Sequence, residues 1–262
     1  MPATYLDRIL DHHRARAAAD NRPIDGLIAA CHDLAPARGF AAALASGDTV
    51  AVIAEVKRRS PSKGDLAIDL DPAELATAYE RGGARCLSVL TDGPHFGGSP
   101  DDLAAARAAV ALPVIRKDFT VSAHDVCDAR LMGADAVLLI VAALSDGELE
   151  EFDGLAAQVG LDALVETHDE AEVARAVAHT RATLIGVNQR DLVTFEVDTD
   201  RAVRVAAAIP DGAVKVAESG IRGVEDARAL AAAGYHAVLV GEHLVTSGDP
   251  AVSVTALSVP RR

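Results

Sequence analysis

Residues 162–188, DALVETHDEAEVARAVAHTRATLIGVN, hold the unit that decides the fold. A short apolar run, DALVE, gives way to HDEAEVARAVAH, whose charged and apolar residues alternate at helical spacing. A second apolar run, TLIGVN, follows. Strand, helix and strand in quick succession is the βα unit, because parallel strands need a long crossover between them.

The same unit recurs on both sides. AVIAEVK from 51, CLSVL from 86, PVIRKD from 113, AVLLIV from 136, AVKVAE from 213 and AVLVG from 237 bring the apolar runs to eight. Between them DPAELATAYERGG from 71, PDDLAAARAAV from 100 and VEDARALAAAG from 224 read as helices. Asp71-Pro72 and Ser99-Pro100 are N-cap and N1 pairs. Gly83, Gly133, Gly160 and Gly234 stand where helices end just before a strand. Eight such units fit an open doubly wound sheet or a closed barrel. No dinucleotide or nucleotide-binding glycine motif follows the first strand. Polar residues close nearly every run at its C-terminal end, as a barrel mouth requires. The reading is α/β: a single (β/α)8 TIM barrel over residues 51–262, behind an N-terminal helical extension over residues 1–50. In that extension Tyr5, Leu6, Ile9 and Leu10 form one stripe, Asn21 to Pro23 break the helix, and a second helical piece lies around Phe40 to Leu44. Nothing in it looks catalytic, and a cap or lid is expected.

Composition narrows the function. With 262 residues and half of them hydrophobic, the chain can bury one large core, and with 3% aromatics that core is aliphatic. The formal charge of -14 argues against nucleic acid and acidic membranes as partners. Cys31, Cys86 and Cys127 follow no metal spacing; the latter two sit in apolar runs as buried thiols, and an odd count fits a reducing compartment. No apolar run reaches the length of a membrane span. A cytoplasmic protein is expected, as a monomer or weak homodimer acting on a small anionic molecule. His12, His13, His32, His95, His168, His179 and His243 form no ligand pattern and are expected at the surface or at helix ends; no metal is expected.

The strand ends carry the chemistry. The first gives Glu55 and Lys57, the third Lys117, the fifth Glu166, the sixth Asn188 and Arg190, the seventh Glu218 and Ser219, and the eighth Gly241. Glu55 and Lys57 are two apart and so share one face. A charged pair inside an apolar run is costly unless it meets water or a ligand. Singly, each could be a salt-bridged strand end, a helix cap or a turn residue; their convergence on one rim is the signal. Separately, ESGI at 218 and VGE at 240 put small residues before helix starts, where backbone N–H groups can approach an anion. Phosphate sites after strands seven and eight recur across barrels.

VIAEVKRRSPSKGDL at 52, VLTDGPHFGGS at 89, PVIRKDF at 113, ALVETHDE at 163, IGVNQRDLVTFEVD at 185, VAESGIR at 216 and VLVGEHL at 238 resemble, in order, the signatures of the indole-3-glycerol phosphate synthase family. The likeness spans about residues 50 to 245, with SPSKG and NxRDL its most specific parts, and YLDRIL and RGFAAAL look like the family's helical extension. It implies decarboxylating, dehydrating ring closure of 1-(2-carboxyphenylamino)-1-deoxyribulose 5-phosphate to indole-3-glycerol phosphate, in tryptophan biosynthesis and without a cofactor. It carries catalytic roles to Glu55, Lys57, Lys117, Glu166, Asn188, Glu218 and Ser219. It also implies substrate or phosphate contacts at Lys57, Ser60, Phe96, Arg190, Gly220, Gly241 and Glu242.

On this reading Lys117 is the acid for the first step, since a lysine is protonated at neutral pH without tuning. Acting as a base would cost roughly three pH units, or about 4 kcal/mol. Lys57 holds the substrate's anionic side, Glu166 and Lys57 serve the later dehydration with Glu55 assisting, and Asn188 orients a hydroxyl. His124 and Cys127, and Tyr235 and His236, depart from the family pattern; altered packing is expected there. A paralogue serving a specialised indole pathway and a non-catalytic phosphate-binding barrel are the competing readings.

Overall fold

The computed structural model describes residues 4–60, 63–191 and 193–261. Three helices come first: α1 (Tyr5–Ala19), α2 (Ile24–His32) and α3 (Phe40–Ala45). Eight parallel strands then close into a barrel: β1 (Ala51–Val56), β2 (Cys86–Leu90), β3 (Val114–Lys117), β4 (Ala136–Ile140), β5 (Asp162–Thr167), β6 (Leu184–Asn188), β7 (Val214–Glu218) and β8 (Ala237–Val240). β1 pairs with both β2 and β8, which completes the circle and removes every free edge. All eight apolar runs of the sequence are strands, so the closed alternative holds and the open sheet does not.

The main crossover helices are α4 (Pro72–Arg81), α6 (Pro100–Ala109), α7 (Ala123–Leu131), α8 (Asp146–Gln158), α9 (Glu170–His179), α11 (Val224–Ala232) and α13 (Pro250–Leu257). Shorter turns of helix, α5 (Gly93–Phe96), α10 (Arg201–Val205) and α12 (Glu242–Val245), sit in loops. Asp71 and Ser99 cap α4 and α6 with their side chains, and Pro follows each. The four glycines expected at helix ends all have φ between +81° and +90°, a region closed to most side chains.

Strand alternation sorts the core into two shells. On β1, Val52, Ala54 and Val56 face the helices, while Ala51, Ile53 and Glu55 face the barrel axis. The inner shell is small at its N-terminal end, where Ala51, Cys86, Ala136 and Ala237 lie. That leaves room for α3, whose Phe40 and Leu44 are fully buried against the same shell and plug the barrel's lower end. Ala41 N donates to Asp162 Oδ2 at 2.8 Å, fixing the plug to the start of β5. So few aromatics suffice because one, placed on the axis, fills what the strands leave open.

Helix α2 was not legible: Pro23, read as a break, is its N-cap. It packs on α7, where Cys31 Sγ donates to the Cys127 carbonyl at 3.6 Å. All three cysteines are buried free thiols. α1 lies at the opposite end from α3, with Tyr5 edge-on to Phe195 at 4.9 Å between ring centres, over the C-terminal mouth. Among the described residues no helix is long and apolar enough to cross a membrane.

Candidate active site

The period of two that puts aliphatic residues on the axis also puts charge there at the strands' C-terminal ends. Glu55, Lys117, Glu166, Asn188 and Glu218 each continue the inward face of their strand. Their side chains meet. Lys117 Nζ lies 2.8 Å from Glu166 Oε2 and 3.3 Å from Glu218 Oε2. Asn188 Nδ2 donates to Glu166 Oε1 at 3.1 Å. Lys57, just beyond β1, turns back to within 2.6 Å of Glu55 Oε1, and Ser88 Oγ donates to Glu55 Oε2 at 3.3 Å. Two glycines make the space. A Cβ on Gly186 would overlap Glu218 Oε1, and one on Gly241 would overlap Glu55 Oε1.

Glu166 and Glu218 share a single ammonium between them, and both are 1% exposed. Three charges there would leave a buried excess of one negative, which a proton relieves. Burial raises the Glu218 carboxyl, to about 8, because Lys117 only partly compensates and Glu166 opposes its ionisation. Apart from the Lys117 ammonium, no donor among the described residues reaches either Glu218 oxygen to hold it ionised. Glu166 goes the other way: burial opposes its ionisation, but Lys117, His168 and the bonds from Lys117 and Asn188 outweigh that and lower it. Burial would lower the Lys117 ammonium, yet Glu166, Glu218 and Glu55 keep it above its ordinary value. Burial and the single shared cation thus favour a charged lysine beside one ionised and one protonated carboxyl, with the proton preferred on Glu218.

These groups floor a cavity of about 640 Å³ at the barrel mouth. Every position assigned to the site from sequence lines it: Glu55, Lys57, Ser60, Phe96, Lys117, Glu166, Asn188, Arg190, Glu218, Ser219, Gly220, Gly241 and Glu242. Its two walls differ. One is apolar, with Phe96 and Phe119 rings 6.3 Å apart beside Leu138 and Ile140. The other is the loop pair after β7 and β8. There Ser219 and Gly220 take φ of +66° and +71° in succession, and neither α11 nor α12 has a side-chain cap. A non-glycine residue at positive φ costs on the order of 1 kcal/mol and marks a loop shaped for something other than stability. Arg190 Nη1 donates to the Phe195 carbonyl at 3.1 Å, and its Nη2 is 4.0 Å from Glu242, so it ties the loop after β6 to that after β8. Ser60 Oγ accepts from Lys63 N. Pro61 and Ser62 of SPSKG, and Leu192 of NxRDL, lie outside the described residues.

The sequence profile of the family described as indole-3-glycerol phosphate synthase matches residues 6–257. The chain belongs to that family. Proteins of that name from Mycobacteroides abscessus and Mycolicibacterium vanbaalenii are 51% and 52% identical over 255 and 258 residues, covering 97% of this chain and 93% and 94% of theirs. "Indole-3-glycerol phosphate synthase 2" of Streptomyces coelicolor is 54% identical over 222 residues, 85% of each chain. A thiamine phosphate pyrophosphorylase from Pyrococcus furiosus superposes with a TM-score of 0.58 at 16% identity, over 79% of this chain and 93% of that one, a likeness of fold alone.

One histidine departs from the expectation of surface or helix-end positions, and a second meets it but turns inward. His13 is 1% exposed, with Nε2 2.9 Å from Asp92 Oδ2 and 3.7 Å from Asp118 Oδ1. Its signal was in the spacing: four residues after Ile9 and seven after Leu6, it lies on the stripe that α1 turns towards the barrel. The two carboxylates also accept from Thr91, Arg116 and the backbone N–H groups of His95 and Phe119, so the group ties α1 to the mouth loops. His168 does precede a helix, but its ring turns inward, with Nε2 3.8 Å from Glu166 Oε1. Phe119, Phe195, Lys63 and Arg222 also line the cavity without having been singled out. The unusual Tyr235 and His236 do not line it; Tyr235 is buried and donates to the Ala202 carbonyl at 2.7 Å. Cys127 is likewise buried in the helical layer, and His124 bonds the Arg22 carbonyl.

Proposed function

We propose that this cavity closes the indole ring with the residues that floor it. The chain acts as an indole-3-glycerol phosphate synthase, a decarboxylating lyase of tryptophan biosynthesis. Its substrate is 1-(2-carboxyphenylamino)-1-deoxyribulose 5-phosphate, and its products are indole-3-glycerol phosphate, carbon dioxide and water. The observation that carries the assignment of roles is the Lys117 ammonium held between two buried carboxylates, below one apolar wall and one small-residue wall.

The phosphate sits on the Ser219–Gly220 and Gly241–Glu242 loops, where helix starts and close backbone favour an anion. The aromatic ring lies against Phe96 and Phe119. This places the sugar carbonyl over Lys117. Attack by the ring carbon that bears the carboxylate builds charge on the carbonyl oxygen, and Lys117 protonates it; the carboxylates around the ammonium favour it as an acid. Loss of carbon dioxide restores the aromatic ring. In the dehydration, Lys57 protonates the departing hydroxyl with Glu55 as its partner, and Glu166 takes the proton from the carbon next to nitrogen. Two protons are given and one taken, so one enters from solvent per turnover when the substrate carboxylate starts ionised. Asn188 and Ser219 orient the sugar hydroxyls, and neutral Glu218 offers them a donor. Arg190 steadies Glu242 at the phosphate side.

The test is direct. Purified protein and the anilino-deoxyribulose phosphate should give the rising ultraviolet absorption and fluorescence of an indole, with release of carbon dioxide. An unchanged spectrum at micromolar enzyme excludes the assignment.

A further inference from the structure

His168 has a place in this chemistry that its position at a helix start does not explain. Its Nδ1 is 3.0 Å from Glu172 Oε2, which also accepts from the His168 backbone N–H. That fixes the ring and leaves Nε2 aimed at Glu166, 3.8 Å from Oε1. Nε2 is buried and has no hydrogen-bond partner. His168 also lines a second cavity of about 380 Å³, shared with Asp169, Asp191, Arg201 and Arg204, whereas Glu166 lines the first. The charged groups facing it are Glu166 from β5, Glu172 and Asp169 from the start of α9, and Arg201 from α10.

Resting on the reaction proposed above, the problem is one of timing. Glu166 must be a carboxylate when the dehydration begins, yet Lys117, its principal counter-charge, has by then given its proton to the carbonyl oxygen. A carboxylate 1% exposed and without a cation beside it takes up a proton and fails as a base. We propose that His168, as an imidazolium held by Glu172, is the standing counter-charge that keeps Glu166 ionised in the interval after Lys117 has acted. It is a positioning residue, working through Glu166 and not on the substrate. Burial lowers the His168 pKa, but Glu172 and Glu166 outweigh burial and raise it, with Arg201 opposing, which favours the charged ring at neutral pH.

The experiment is the pH dependence of kcat for the wild type, His168→Gln and Glu172→Gln. Without the imidazolium the acid limb, which reports ionisation of Glu166, should move up by about 1 to 3 pH units, the shift expected of an opposite charge at this range. Well below the displaced limb kcat then falls about tenfold for each unit, while KM changes little. Glu172→Gln should leave the acid limb in place and pull the alkaline limb down, because it weakens the hold on the imidazolium. His168→Lys, which restores a cation, should return the acid limb towards the wild-type position. Lower amplitude with unmoved limbs in both variants overturns the proposal, since it is what a packing role alone produces. A wild type that forms no indole product removes the function as well; an active wild type with unmoved limbs removes only the role of His168.

Discussion

Replacing Glu218 by Gln should remove a loss of stability that grows as pH rises. The carboxyl is 1% exposed, shares the Lys117 ammonium with Glu166 and is raised from 4.5 to about 8, mainly by burial. A carboxyl raised in the folded state contributes stability that is fully present below its unfolded value and lost as pH rises through its folded value. Over the window from about pH 4.5 to about pH 8 that loss amounts to about 5 kcal/mol. Gln cannot ionise and has nearly the same volume, so the variant escapes it. Glu218→Gln should therefore match the wild type near pH 4.5 and exceed it progressively above about pH 5, reaching about 10 °C in Tm near pH 9. Thermal melts across that pH range, with both proteins in one buffer series, measure the difference. Turnover should fall in the same variant, because the group destabilises the fold in order to serve the reaction. A wild-type-minus-variant difference independent of pH would refute the reasoning, and a variant less stable at pH 9 than at pH 5, relative to wild type, would reverse it.

Lys117→Met, close in volume, should lower kcat by about 100- to 10,000-fold with a folded, cooperatively melting chain, measured by steady-state kinetics and circular dichroism. Gly241→Ala places a Cβ on Glu55 Oε1 and Lys57 Nζ; it should impair turnover with little loss of Tm, since the displaced groups belong to the cavity and not the core. Phe40→Ala empties the lower barrel plug and should cost about 3 to 5 kcal/mol in denaturant titration while leaving KM near the wild-type value, because Phe40 lies at the opposite end from the site.

The repeat of apolar runs was enough for the barrel because parallel strands in a closed sheet are apolar on both faces, so each run stands out from its helix. Charged strand ends were legible for the same reason where Glu55 and Glu166 follow the uncharged stretches AVIA and ALV, whereas Lys117 follows Arg116 and is marked only by its place at the strand end. What stayed hidden depends on distance in the chain. Helix α2 is masked by Pro23, which caps its start and in the local sequence reads as a break. His13 reaches Asp92 and Asp118 only because α1 folds over the mouth, a contact no local pattern encodes. The opposite tuning of Glu166 and Glu218 follows from who bonds each carboxylate: both face Lys117, at 2.8 and 3.3 Å, but only Glu166 also accepts from Asn188. Gly186 looks like an ordinary small residue, and Gly241 like a phosphate-loop glycine alone, until the carboxylates that fill their space are seen.

The account stands most directly on where the substrate lies. A crystal structure with the reduced substrate, in which the sugar carbonyl is an alcohol and ring closure is blocked, reads this out. It should put that oxygen within hydrogen-bonding distance of Lys117 Nζ, the phosphate on the Ser219–Gly220 and Gly241 loops, and the aromatic ring against Phe96 and Phe119. A phosphate bound elsewhere, or an oxygen turned away from Lys117, would contradict it.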